Sequence, residues 1–486
     1  MIARQNQPCN EPYHARVTGS LLTLLLFAAT ASAQTSTAVD SIDRYVRSEL
    51  ARQRIPGMSV AVLRGDSLLL ARGYGYAHVE HHVPATDSTV YEVGSVSKQF
   101  TAAAVVMLSE QGRLSLDDPI VRYLPEGSGV WPRVTIRHLL THTSGIPQDT
   151  MPDYRRDYTE TELVRSAAVQ PLDFEPGDRW SYSSTGYALL GIIIHRVSGV
   201  LYGDFLRDHL FRPLGMRTAR VYSDADIVPN RAAGYHFVND TLKNREWVSP
   251  SNSATADLGL SFSVRDLAQW AIGLNHGKVL SRAALEASWT PVRLNDGGIY
   301  PYGFGWYLTQ QRGHRRIGHS GAWQGFRANI QLYPDFGTTV IVLANLAEAS
   351  AEAIGYGIAG LIEPALVPPH RFAARLPGAA PPKSIDQLLR DIAAGRDSSQ
   401  VTSGLRTSMP MARREQIGGW LKAVHAWTFL GCDDVRKRGI SRFGTRIERI
   451  CYAKGAGSRA SLLVTALYAA SWRAGGLDPF YGFYER

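Results

Sequence analysis

The chain has 486 residues, 44% of them apolar, enough to bury a large core and to divide into two or three domains. Beyond the N-terminus, no apolar run is long enough to cross a bilayer as a helix. The net charge is +9, and of the 52 Lys+Arg only seven are lysines.

Residues 1–33 read as an export signal. Arg4 and Arg16 precede an apolar run from Leu21 to Ala29, and Ala31-Ser32-Ala33 matches a small-x-small cleavage pattern. Cleavage after Ala33 leaves a mature protein that is periplasmic or extracellular. A membrane anchor is disfavoured because the run is too short for a comfortable span. The mature chain holds 50 basic and 42 acidic residues, and 17 and 9 of these lie in 383–486. That tail therefore carries the whole mature charge of +8. A solvated basic face, or contact with an anionic envelope surface, fits it better than nucleic acid does.

The predicted elements follow in chain order. Residues 37–53 form an amphipathic helix with Val39, Ile42, Tyr45, Val46 and Leu50 on one side. Two β-like runs, 58–63 and 68–76, flank the turn Arg64-Gly65-Asp66-Ser67 and make a hairpin. A helix runs from Ser95 to about Gln111 and stops at Gly112. Short helices and loops fill 113–250. Strand signals return at 303–309, 315–319, 327–333 and 338–344, as in an antiparallel meander, and a helix follows over 349–361. β-elements around a helical middle predict an α/β (α+β) fold. One antiparallel sheet is built from both ends of the region 34–362 and flanked by helices, with a helical subdomain. Residues 363–383 are rich in Pro and Ala and read as a linker. Residues 384–486 read as a small α+β domain, with helices over 384–394 and 411–424 and strands over 426–430, 447–452 and 461–470. The aromatic stretch 472–484 reads as a further strand of that domain. Cys432 and Cys451 suit either a disulfide in an oxidising compartment or two buried thiols.

The chemistry starts at Gly94-Ser95-Val96-Ser97-Lys98-Gln99-Phe100-Thr101. Lys98 is the only lysine before Lys243. On a helix, residues three apart share a face. At the helix N-terminus, free N–H groups favour developing negative charge. A serine hydroxyl needs a base to become a nucleophile. Lysine can lose its proton when buried, whereas arginine cannot. The spacing alone is a weak signal, since S-x-x-K arises by chance in a chain this long.

The surrounding segments sharpen it. Ile136 to Ile146 (IRHLLTHTSGI), Phe174-Glu175-Pro176-Gly177 leading to Trp180-Ser181-Tyr182-Ser183-Ser184, Phe211 to Met216 (FRPLGM), Gly259-Leu260, and Gly318-His319-Ser320-Gly321 follow in order. Together with the Ser95 segment, this set resembles the serine β-lactamase and penicillin-binding-protein superfamily. The nearer resemblance is to the branch of class C β-lactamases, DD-peptidases and β-lactamase-like esterases. The resemblance spans about 37–362.

It implies a β-lactamase-like fold and a catalytic set of Ser95, Lys98, Tyr182 and His319. Ser95 is the acylated nucleophile and Lys98 its base. Tyr182 shuttles protons at the Tyr-x-Asn position, and His319 stands where the family's strand lysine does. The backbone N–H groups of Ser95 and Ala322 form the oxyanion hole, with donors worth about 3–4 kcal/mol each. Ser184, Ser320 and Gly321 contact substrate. No cofactor is expected.

Two departures matter. Ser184 replaces the Asn of Tyr-x-Asn and lacks its paired donor and acceptor. His319 is a weaker fixed cation than lysine and is partly neutral near pH 7. Both favour an ester or amide over a β-lactam or a D-Ala-D-Ala peptide, which remain the alternatives beside a non-catalytic binding protein. His138 and His142 have the i, i+4 spacing of a zinc helix but lack the intervening glutamate. The G-x-S-x-A of 318–322 lacks the second glycine of an α/β-hydrolase elbow and lies among antiparallel strands. The tail faintly resembles NTF2-like or cystatin-like modules.

Overall fold

The computed structural model describes residues 38–150 and 153–367, and in the C-terminal region a helix, several strands and a few single residues between 385 and 481. The expected export signal, most of the expected linker and nearly all of the expected helix over 411–424 lie outside the described residues.

The hairpin forms as expected. β1 (Gly57–Arg64) and β2 (Ser67–His78) meet at a turn where Gly65 takes φ +56°, a conformation open to glycine. A short β3 (Val83–Pro84) extends β2. The late meander supplies β4 (Tyr307–Gln311), β5 (His314–Trp323), β6 (Phe326–Tyr333) and β7 (Thr338–Ala344). The sheet order is β4-β5-β6-β7-β1-β2-β3, antiparallel throughout. β1 pairs with β7, Met58 opposite Ala344 and Arg64 opposite Thr338, so both ends of the region build one sheet.

Alternation along the strands splits the core in two. Met58, Val60 and Val62 of β1 and Val340 and Val342 of β7 face one side. They pack with Ile42 and Val46 of α1 (38–53) and with the late helix. Ala61, Leu63, Ile341 and Leu343 face the other side and join the helical middle. Covered on both faces, β1 and β7 are apolar at successive positions rather than alternate ones.

On the second side lie α2 (Lys98–Glu110), α3 (Ser184–Ser198) and α4 (Val264–Asn275). The late helix on the first side is α5 (Ala351–Ile362). α2 is buried from Lys98 through Val106. A helix buried all round must be apolar all round, so its lysine stands out. Phe100 anchors it, with ring centroids 4.2 Å from Trp270 of α4 and 4.6 Å from Phe262. Truncating such a ring to alanine costs about 3–5 kcal/mol.

In the C-terminal region, α6 (Ile385–Ala393) precedes a four-stranded antiparallel sheet of β8 (Val424–Asp434), β9 (Arg449–Gly457), β10 (Ser461–Tyr468) and β11 (Ala474–Tyr481), paired in sequence order. Cys432 of β8 stands directly opposite Cys451 of β9, and a disulfide joins them.

Candidate active site

The helix expected from Ser95 begins later. Gly94–Ser97 is a 3-10 turn, and α2 starts at Lys98. Gly94 takes φ +52°, which turns the chain sharply after β-like Glu92. The turn is pinned by Val93 N donating to Leu260 O (3.0 Å) and Leu260 N donating to Ser97 Oγ (3.1 Å). In 3-10 geometry, side chains at i and i+3 eclipse, so Lys98 stands over Ser95. Its Nζ lies 3.1 Å from Ser95 Oγ.

Lys98 is 0% exposed. Its Nζ donates to the Asp257 carbonyl at 2.9 Å and lies 3.5 Å from Ser184 Oγ and 3.9 Å from Asp257 Oδ2. Burial pushes the Asp257 carboxyl above the usual carboxylate range, and Lys98 opposes that rise. Sequence reasoning missed Asp257. No local pattern marks it, because its segment reaches the site only through packing. Thr101 Oγ1 of α2 donates to Ala256 O at 2.6 Å. A Cβ at Gly191 of α3 would lie 2.3 Å from the Ala256 side chain, so α3 seats tightly on the same segment.

Two glycines let β5 reach the nucleophile turn. A Cβ at Gly321 would fall 1.8 Å from Val93 O, and one at Gly94 would fall 2.7 Å from Ala322 N. Only bare backbone fits there. Ser95 and Ala322 thereby line one cavity. Gly321 serves this close approach and is absent from the described cavity lining.

Tyr182 and Ser184 precede and open α3. Ser183 caps that helix, its Oγ accepting from Gly186 N at 3.0 Å. Ser184 meets Lys98 and lines the cavity, so the Tyr-x-Asn position does reach the lysine. The Tyr182 ring lies beside Lys98, with Nζ 4.9 Å from its centroid, and also lines the cavity. Among the described residues no hydrogen bond joins its hydroxyl to Lys98 or Ser95, so the expected proton contact is not made here.

His319 lies on β5, the expected strand, but its ring is buried. It is 3% exposed and absent from the described cavity lining, and both ring nitrogens are engaged. Nδ1 lies 2.7 Å from Ser320 O and Nε2 3.1 Å from the Tyr302 hydroxyl. A carbonyl only accepts, so Nδ1 carries the proton and Nε2 accepts from Tyr302. Burial, aided by nearby Lys98, pushes the ring down to about 3. The ring is thus a neutral structural group near pH 7, not a weak cation.

Ser320 also departs from expectation. Strand alternation turns it to the opposite face from His319. Its Oγ donates to Glu352 of α5 at 3.1 Å and accepts from Asn329 at 3.2 Å, so its side chain is directed away from substrate.

The two histidines of the zinc-like spacing part company. His138 closes a capping box with Thr135. His142 is buried, accepts from Ser183 N at Nδ1 (3.0 Å), and presents Nε2 to the Tyr302 hydroxyl at 3.2 Å. The partners fix one directed chain, from Ser183 N–H to His142, to Tyr302, to His319, to Ser320 O. It ties the loop before α3 to β5.

The cavity has a volume of about 310 Å3, in the range of small-molecule sites. Besides Ser95 and Ala322 it is lined by aromatic Tyr154, Tyr158, Tyr182 and Trp323.

A buried lysine over a turn-borne serine, facing a glycine-bearing strand, defines a serine acyl-transferring hydrolase. The sequence model of the Beta-lactamase family matches residues 42–360, and the chain belongs to that family of serine hydrolases. It is 33% identical over 311 residues to penicillin-binding protein 4* of Bacillus subtilis (strain 168), covering 60% of this chain and 68% of that one. The octameric penicillin-binding protein homologue from Pyrococcus abyssi shares the fold, with a TM-score of 0.59 and 23% identity over 91% of this chain and 98% of its own. EstCE1, a hydrolase with promiscuous acyltransferase activity, also shares it, with a TM-score of 0.59 and 22% identity over 68% of this chain and 99% of its own.

Proposed function

We propose that the protein is an exported serine hydrolase that cleaves ester or amide carbonyls through an acyl-enzyme on Ser95. The observation that carries this reading is the 3.1 Å contact between Lys98 Nζ and Ser95 Oγ at the wall of the cavity. In its amine form, Lys98 points N–H groups at Asp257 O and Ser184 and leaves its lone pair for the Ser95 proton. The Ser95 Oγ–carbonyl bond forms as the carbonyl π pair moves to oxygen, where the Ser95 and Ala322 amides receive it. The tetrahedral adduct expels the alcohol or amine, which takes the proton from Lys98. Water then adds to the acyl-enzyme and releases the acid. Tyr182 lies beside Lys98 on the cavity wall, and no proton step is routed through it because among the described residues its hydroxyl makes no hydrogen bond to Lys98 or Ser95.

A neutral His319 and a serine at 184 leave the site poorly furnished to hold a substrate carboxylate. This favours esters and amides without one. The name of the Bacillus relative favours the second reading, action on β-lactams or D-Ala peptides. The N-terminal pattern and the Cys432–Cys451 disulfide support export, and the basic tail supports contact with an anionic envelope surface.

Intact-mass measurement after a fluorophosphonate probe tests the mechanism. One adduct is expected, lost in Ser95→Ala and in Lys98→Met. Absence of any adduct on the folded protein overturns the reading in favour of a non-catalytic scaffold. Turnover of a chromogenic cephalosporin without turnover of a short-chain p-nitrophenyl ester selects the second reading.

A further inference from the structure

Glu92 stands two residues before Gly94, where the chain turns toward Ser95, and it is 6% exposed. Its backbone pairs with Ser261, and the next residue, Val93, donates its N–H to Leu260 O. Oε1 of Glu92 accepts from Nη1 of Arg245. Oε2 is a buried acceptor with no hydrogen-bond partner among the described residues. Arg245 is therefore the counter-cation of a carboxylate held next to the nucleophile turn.

Arg245 arrives from a distant segment, just after the hairpin of Tyr235–Val238 and Thr241–Asn244. Its own N–H donates to Gly234 O at 2.9 Å. Nη2 donates to the Tyr222 hydroxyl, which donates in turn to Asp224. The guanidinium carbon lies 5.1 Å from the centre of the Tyr222 ring and 5.9 Å from that of Phe326, within cation–π range. Phe326 is 1% exposed and stands opposite Trp323, where β5 turns into β6 directly after Ala322. Its ring also meets Tyr91, the neighbour of Glu92, edge-on at 6.4 Å. One side chain thus touches both backbone segments that carry the proposed oxyanion donors, one through Glu92 and the other through Phe326. A buried ion pair adds little stability over apolar side chains of similar volume. Geometry accounts for the pair better than stability does.

We infer that Arg245, paired with Glu92, is a positioning residue for the oxyanion hole, holding the Ser95 turn and the end of β5 at the spacing that aims both amides at one oxygen. The inference rests on the hydrolase reading and deepens it. Such donors act only when they are already in place as charge develops, so a small shift of either segment is costly to turnover. Burial pushes the Glu92 carboxyl up to about 7; Arg245 opposes that rise, Asp224 adds to it and Arg231 opposes it. The pair is therefore fully charged only on the alkaline side.

The test compares Arg245→Met, Arg245→Lys, Glu92→Leu and the double variant Arg245→Met/Glu92→Leu at about pH 8.5, where Glu92 is ionised. Turnover of p-nitrophenyl butyrate is expressed per serine labelled to completion by a fluorophosphonate, so misfolded protein drops out of the count. The double variant exchanges the ion pair for two apolar side chains and should melt close to wild type. Its kcat is nevertheless expected to fall tenfold or more with KM within about threefold, because acylation and deacylation both pass through an oxyanion. Affinity for phenylboronic acid, which makes a tetrahedral adduct on a serine oxygen, should weaken by a similar factor. Arg245→Lys keeps a cation for Glu92 and should retain severalfold more kcat than Arg245→Met. Wild-type kcat in the double variant, a loss confined to KM, or unchanged boronate affinity overturns the inference and leaves the hydrolase reading standing. Wild-type protein that takes no fluorophosphonate sinks both.

Discussion

The Tyr302 hydroxyl donates to Nε2 of His319 across 3.1 Å, inside the fold. Through its second contact, to His142 at 3.2 Å, it joins β5 to the loop that carries Tyr182 and Ser184. All three rings are wholly or almost wholly buried. His319, expected to face substrate, is instead held between Tyr302 and Ser320 O.

Tyr302→Phe keeps the ring and removes the hydroxyl, leaving His319 Nε2 and His142 Nε2–H unpaired. A loss of about 2–4 kcal/mol of stability follows from two orphaned buried groups. Ester turnover should fall as well, because the two walls of the site lose their tie. Chemical denaturation and steady-state kinetics check both. Unchanged stability would show that the chain of hydrogen bonds is incidental.

The same burial makes the fold acid-sensitive. His319 binds its proton near pH 3 when folded but near the ordinary histidine value of 6.5 when unfolded, and His142 shifts in the same direction. Between those values the unfolded chain holds more protons, so stability is full above about 6.5 and falls as pH drops toward 3. The loss is on the order of several kcal/mol. Denaturation curves at stepped pH measure it, and His319→Gln should flatten the slope in that window.

Gly321→Ala tests the approach of β5 to the nucleophile turn. The new methyl would sit 1.8 Å from Val93 O, so the strand must retreat and carry the Ala322 amide with it. Loss of one oxyanion donor predicts a fall in kcat of about 100- to 1,000-fold with KM less affected. Wild-type kcat would refute the proposed oxyanion pair.

The C-terminal disulfide closes a loop with a sequence separation of 19. In the chain-entropy model, removing it destabilises that region by about 3 kcal/mol. Calorimetry of Cys432→Ser/Cys451→Ser should show a lowered C-terminal transition, with ester turnover by the Ser95 region retained.

The sequence by itself determined the elements and the core chemistry. Alternating and 3.6-residue patterns are local, and so are turn glycines. Hence the hairpin, the meander, the flanking helices, and the pairing of Ser95 with Lys98 are all legible in one dimension. What tertiary structure alone decided is which groups meet across long loops. Asp257 reaches Lys98 from 159 residues away, carried on packing against Thr101 and Gly191. His142, Tyr302 and His319 come from three separate segments, and only their burial together makes His319 neutral. Ser320 turned from the site to α5 because the pleat of β5 assigns neighbours to opposite faces. Contact across a core depends on which faces pack, and that is a property of the folded chain rather than of any short stretch of it.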